Sequence, residues 1–215
     1  MTRQSPPDLR ILHATRLLGF GNSTLIAERA ETSRDEAVSV LREAERQGWT
    51  QHSAFADLEG WSLTEEGRAE NERQLARERA STDPENRIEE VHREFLPLNS
   101  RLLRACTDWQ IKPTDEDQFA PNDHADTAWD QRILVDLAAL SDALSPLIGR
   151  LSDVLARFGG YDVRFETARQ RAQSGQHHWI DKTDIDSCHR VWFQFHEDLI
   201  ATLGIDRGAE STAGS

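Results

Sequence analysis

The sequence predicts a mainly helical protein in two parts, a module of three short helices with a β-hairpin and then a bundle of longer helices. Three observations carry that expectation. Glycines and capping residues divide the first 80 residues into short pieces. Residues 49–63 hold two β-prone runs. Beyond residue 83 apolar side chains recur every three or four positions over long stretches. With 215 residues the chain has room for one average domain or two small ones, at the usual ~100 to 200 residues each.

The elements follow in order. Asp8 is placed to cap a first helix whose Leu9, Leu12, Leu17 and Leu18 run to a stop at Gly19 and Gly21. Ser23 opens a short second helix with Leu25, Ile26 and Ala30. Ser33-Arg34-Asp35-Glu36 reads as a capping box, in which the Ser hydroxyl and the Glu carboxylate satisfy each other's free backbone N–H groups. It starts a third helix that turns Ala37, Val38, Leu41 and Ala44 inward and ends at Gly48. Residues 49–55 and 60–63, separated by Ala56-Asp57-Leu58-Glu59, form a predicted hairpin, after which Thr64 caps a polar helix running to about Ala80. This is the order of a winged helix-turn-helix.

Ser81-Thr82-Asp83-Pro84 reads as a cap with an early helical proline and marks the expected boundary. Ile88, Val91, Phe95, Leu98, Leu102, Ala105 and Trp109 then alternate in steps of 3 and 4. Ile133, Leu137, Leu140, Leu144, Leu147, Leu151, Val154 and Phe158 do the same, as do Ile185, Cys188, Trp192, Phe195, Leu199 and Thr202. Three amphipathic helices with narrow apolar seams predict a bundle, with the same seams as candidate dimer surfaces. A fourth helix is expected over 162–172. Pro97 and Pro146 each remove one helical hydrogen bond, so each helix either bends or ends and restarts there. Residues 111–126 lack periodicity and read as a lid or a disordered acidic loop. The expected division is therefore 1–82, 83–206 and a loose tail over 207–215.

Residues 25–68, with "LIAERAETSRDEAVSVLREAERQGWTQ" and then "GWSLTEEGR", resemble the DNA-binding domain of MarR-type transcriptional regulators. The "LTEEGR" box after the hairpin is the most specific part of the resemblance. The remainder is similar to acidic helical C-terminal regions of actinobacterial regulator-like proteins. The resemblance implies a winged domain that binds double-stranded DNA, but the hairpin departs from the family pattern. Between Trp49 and Trp61 it carries no Arg or Lys, only His52, where the family usually places an Arg for the minor groove.

Charge limits what any DNA contact could rest on. The chain has 25 basic and 38 acidic side chains, a net charge of -13. Such a chain cannot hold nucleic acid or an anionic membrane through its overall field, so contact requires a local basic face. Thr32, Arg34, Ser39, Arg42 and Arg46 of the third helix, with His52 of the hairpin, are the candidate DNA-binding residues, since Arg offers a fork to guanine and Ser a short donor. Asp35 and Glu36 in the first turn oppose phosphate approach.

The C-terminal half supplies a candidate effector pocket, Trp109, His124, Trp129, His189, Trp192 and His196, because Trp pairs an apolar face with an N–H needing a partner. His189 and His196 face one way but stand two turns apart, roughly 10.5 Å, too far to share one ion. No metal site and no cofactor is expected. Nor is an enzyme, since phosphate-cradling glycine loops, G-x-S-x-G and H-E-x-x-H are missing from the sequence and Cys188 falls on an apolar seam beside His189. Two cysteines make no disulfide scaffold, no apolar run nears the roughly 18 residues of a membrane span, and MTRQSPPDLR lacks a signal peptide's apolar stretch. The sequence thus predicts a cytoplasmic, dimeric, MarR-like DNA-binding regulator controlled by a small effector. A winged-helix protein-interaction module without specific DNA binding is the alternative.

Overall fold

Short polar side chains fix several helix starts, each satisfying N–H groups that have no partner inside the helix. Asn22 Oδ1 accepts from Leu25 N–H at 2.9 Å, Ser33 Oγ from Glu36 at 3.2 Å, Thr64 Oγ1 from Gly67 at 3.0 Å, and Asp126 Oδ1 from Ala128 and Trp129 at 3.1 Å. In the computed structural model, which describes residues 2–55 and 58–205, these belong to helices in the order α1 (Pro7–Leu18), α2 (Ser23–Arg29), α3 (Arg34–Arg46), β1 (Thr50–Phe55), β2 (Leu58–Leu63), α4 (Glu65–Thr82), α5 (Arg87–Gln110), α6 (Thr127–Ser152), α7 (Tyr161–Gln173) and α8 (Cys188–Leu203). The protein is mainly helical with one two-stranded antiparallel sheet. The residues expected to form a loose tail, and the Ala56-Asp57 turn, lie outside the described residues.

Several starts and stops differ from the sequence reading. Asp8 lies in the first turn of α1 rather than at its cap, where its charge suits the helix dipole; Pro6 is the cap residue and Pro7 begins the helix. Asn22, not Ser23, caps α2. The Ser33 box is half formed, because Glu36 accepts the Thr32 hydroxyl. Ser81 and Thr82 are the last residues of α4, their hydroxyls returned to the Glu78 carbonyl at 2.9 and 2.8 Å, and α5 starts at Arg87 behind Asn86, whose φ is 56°.

The described chain forms two compact units. Of the described residues, the first comprises 2–55, 58–85, Val154–Arg157 and 196–205; the second comprises Asn86–Asp153 and Phe158–Phe195. In the first unit Ile11, Ala14, Ile26, Ala37, Leu41 and Trp61 build one buried core. The hairpin has the register Thr50 with Leu63 and His52 with Trp61. A further bridge stitches it to the α1–α2 turn, with Gly21 N–H donating to Trp61 O at 3.1 Å and Trp61 N–H to Gly21 O at 2.8 Å. Close approach explains two glycines: a Cβ on Gly60 would stand 2.8 Å from Gly21 O, and one on Gly67 would stand 1.7 Å from Trp49 O.

In the second unit α5 packs on α6 and α6 on α7. Phe95 lies 5.1 Å from Trp192 and 5.0 Å from Phe195, and Phe165 lies 5.3 Å from Trp192, between ring centres. Apart from half-buried Leu98 and Ile185, the residues of all three predicted seams are buried within the chain, which removes those seams as dimer surfaces. Both prolines sit inside unbroken helices, Pro97 in α5 and Pro146 in α6, each on an exposed face. Residues 111–126 fold back on themselves through a bridge between Ile111 and Pro121 and a Lys112 N–H bond to Ala120 O at 2.9 Å. Glu166 of α7 accepts from Ser141 of α6 at 2.8 Å and from Arg169 at 2.7 and 2.6 Å. Led by the Arg169 guanidinium, these bonds hold its carboxyl at about 2 against the opposing effect of burial. Among the described residues no helix is long and apolar enough to cross a membrane.

Gly67→Ala is expected to lower stability by about 3 kcal/mol or more in urea unfolding, since backbone must move to admit the methyl group. Gly149→Ala, where nothing lies within 4 Å of an added Cβ, is expected to be neutral or stabilising. Glu166 has a folded pKa below its ordinary 4.5, so its contribution is complete above pH about 4.5 and lost as pH falls toward about 2. The melting-temperature gap between wild type and Glu166→Gln should therefore be widest near neutrality and close on acidification.

Candidate functional site

The outer face of α3 is set by what its inner face buries. Ala37, Leu41 and Ala44 are buried, which leaves Arg34, Asp35, Glu36, Ser39, Arg42, Glu43, Glu45 and Arg46 exposed. Asp35, Ser39, Arg42 and Arg46, spaced 4, 3 and 4, share one stripe. Among the described residues Ser39 and Arg42 have no hydrogen bond or ion pair through their side chains, whereas the other candidates are engaged. Half-buried Thr32 donates to Glu36, and Arg34 Nε donates to Ser23 Oγ at 3.3 Å. Arg46 is drawn onto Glu43, Nε to Oε2 at 3.0 Å, and Gln47 donates to the other oxygen at 3.0 Å. Those bonds, Gln47 first and Arg46 next, hold the Glu43 carboxyl below its ordinary range. His52 Nε2 pairs with Glu59 Oε1 at 3.2 Å, its ring lies 4.6 Å from Trp61, and its backbone N–H donates to Glu45 Oε1 at 3.3 Å. The face therefore offers one unengaged guanidinium, two engaged ones and four carboxylates.

The six residues proposed for an effector pocket fall into separate surroundings. Trp109 and His124 meet in the second unit, 4.4 Å between ring centres. Trp129 donates its indole N–H to Asp108 O at 2.8 Å and carries the Arg132 guanidinium 4.1 Å over its ring. Trp192 is a core residue whose indole donates to Asn99 Oδ1 at 3.1 Å. His189 lies 6.4 Å from Phe193, and His196 is buried in the first unit. Cys188 is buried, which pushes its thiol far above the ordinary range, and burial likewise raises Cys106 to about 12, so burial disfavours the thiolate at both.

Around His124 the polar side chains form a closed set. Asn122, buried, accepts the His124 backbone N–H on Oδ1 at 3.1 Å and donates Nδ2 to Trp109 O at 3.1 Å and to Asp130 Oδ1 at 2.9 Å. The second Asp130 oxygen meets His124 Nδ1 at 3.0 Å. His124 adopts φ 58°, the left-handed region, at a cost of about 1–3 kcal/mol that this polar frame offsets. His177 approaches from the 3-10 turn His177–Trp179, its ring 5.2 Å from Trp109 and 5.8 Å from His124. Asn122, Asp130 and His177 stand outside the candidate pocket read from the sequence, since only their distances to His124 and Trp109 bring them into it.

A third cluster, in the first unit, had no sequence signal. His13 on α1 bonds Asn71 of α4 at 3.2 Å and Asp198 of α8 at 3.0 Å. Arg157 donates to Asp198, to Glu78 at 3.3 Å and to Thr202 at 2.8 Å. The side chains of Arg157, Glu78 and Asp198 are only 7, 5 and 1% exposed, so these are buried charges in mutual compensation. Among the described residues no group of three His, Cys, Asp or Glu side chains is arranged to hold a metal ion.

No protein-family model matches the chain, and neither a curated protein nor a solved structure shows detectable similarity to it.

Removing one member of the buried charge cluster strands the others. Arg157→Met is expected to cost about 3–5 kcal/mol in denaturant unfolding, and adding Glu78→Gln and Asp198→Asn to it should recover part of that loss.

Proposed function

We propose that the first unit is a winged helix that presents α3 to the major groove of duplex DNA, and that the protein is a MarR-like transcriptional regulator. The observation that carries this reading is the bridge between Gly21 and Trp61, which pins the hairpin to the α1–α2 turn and leaves the outer face of α3 exposed beside it. In that arrangement Ser39 and Arg42 are the residues ready to meet base edges or phosphates, and Arg34 joins them by leaving Ser23. Binding as a homodimer would place two such helices on successive half-sites, through surfaces other than the buried seams. The second unit is then the seat of effector control.

A second reading is favoured by one specific observation. Four exposed carboxylates on α3, with Arg46 held by Glu43, suit contact with a basic protein surface better than with phosphate.

The two readings diverge in a fluorescence-anisotropy titration of duplex DNA from the protein's own promoter across a salt series. A regulator should bind saturably, and log affinity should fall with log salt by ~0.9 per phosphate neutralised, a shallow slope for so few cations. Arg34→Ala with Arg42→Ala should abolish binding, and Glu43→Gln, which frees Arg46, should tighten it several-fold. No binding above the non-specific level would favour the protein-interaction reading.

A further inference from the structure

The hydrogen bonds around His124 leave no freedom in where its ring proton sits. Asn122 is oriented by two backbone groups, since its Oδ1 accepts the His124 N–H and its Nδ2 donates to Trp109 O. Its second amide hydrogen goes to Asp130 Oδ1. Both amide hydrogens are then committed, so the 3.2 Å approach of Asn122 Nδ2 to His124 Nδ1 supplies the imidazole with no donor. Asp130 Oδ2, an acceptor, faces Nδ1 at 3.0 Å. Nδ1 must therefore carry the proton, and in the neutral ring the lone pair lies on Nε2.

Nε2 has no hydrogen-bond partner among the described residues, and the side chain is 34% exposed against 11% for Asp130. The left-handed backbone at His124 and the Trp109 ring beneath it hold the imidazole in place, and exposed His177 adds a second imidazole at its side. We infer that His124, oriented by Asp130 and Asn122, is a proton-accepting and nucleophilic imidazole. Its ligand is a small molecule that presents an O–H or N–H to Nε2, with His177 as the neighbouring polar contact. Asp130 and Asn122 are positioning residues, acting through the tautomer they impose. The site belongs to the second unit and stands independently of any DNA contact by α3, so either can fail without the other.

The test uses the full chain and two readouts. Nitrogen-15 NMR of the histidine rings should show His124 protonated at Nδ1, with a lone pair at Nε2. Diethyl pyrocarbonate then serves as the electrophilic probe. Nε2 attacks one carbonyl carbon, the bond to the central oxygen breaks, ethyl carbonate departs as carbon dioxide and ethanol, and the Nδ1 proton passes to solvent. Peptide mapping should find His124 modified faster than exposed His178. Asp130→Asn is the decisive variant, because Asn122 still requires an acceptor where Oδ1 stood. The new amide is thereby forced to point its NH2 at Nδ1, which moves the imidazole proton to Nε2. The NMR tautomer should invert and the rate at His124 should fall at least about tenfold, with the near-ultraviolet circular dichroism retained. His177→Ala should leave the tautomer unchanged. An Nε2-protonated His124 in the wild type, or an Asp130→Asn variant with unaltered tautomer and rate, would overturn the assignment.

Discussion

The Arg157 guanidinium joins the buried carboxylates on which the polar interior of the first unit depends. It lies between the carboxylates of Glu78 and Asp198, in a region where water reaches none of the three freely. Two buried carboxylates facing each other without a cation would each incur a desolvation penalty of several kcal/mol. With the guanidinium present, α4, α8 and the segment Val154–Arg157 are held as parts of one unit. His13 extends the same network to α1 through Asn71 and Asp198. The apolar contact of Leu9, Leu75 and Ala201 completes the junction. An apolar cluster alone would fix no particular register among these helices, whereas directional bonds at several positions do.

Much of the fold was legible because it rests on local rules. Ser33 and Thr64 sit where short hydroxyl side chains must cap a helix, and the alternation of Ile88 through Trp109 marks a buried stripe whatever covers it. What was not legible rests on pairing over distance. α4 reads as a polar helix because its buried face is made of Glu70, Asn71 and Glu78 around a single Leu75. Hydropathy assigns such a face to solvent; Asn71 meets His13, Glu78 meets Arg157, and Glu70 is bonded by Arg73 and Gln74 of its own helix. The return of residues 154–157 and of the end of α8 to the first unit has the same origin.

The candidate sites were legible to different degrees for a related reason. The outward residues of α3 follow from helix geometry, so Arg34, Ser39 and Arg42 could be named in advance. Their engagement was legible only in part: Glu43 and Arg46 stand three apart on one helix, where opposite charges meet, whereas the Glu59 hold on His52 depends on the hairpin register. Tryptophan and histidine content pointed to the second unit but gathered residues that stand apart, core Trp192 and His196 of the other unit among them. The short run from Asn122 to Asp130 carries the one arrangement there in which each donor dictates the next acceptor.

The span of the His13 to Asp198 bond, 185 residues, bears on how the protein is made. A ribosome releases the chain from its first residue, so α1 to α4 emerge complete while their countercharges are still unsynthesised. Until residue 157 has left the exit tunnel Glu78 lacks its guanidinium, and until α8 follows His13 has only Asn71 of α4 to bond. Maturation of the first unit is thus tied to the synthesis of α8, and a chain that stops before it leaves the polar interior between α1 and α4 open. The placement of Asp198 makes completion of the buried polar network wait on the synthesis of α8.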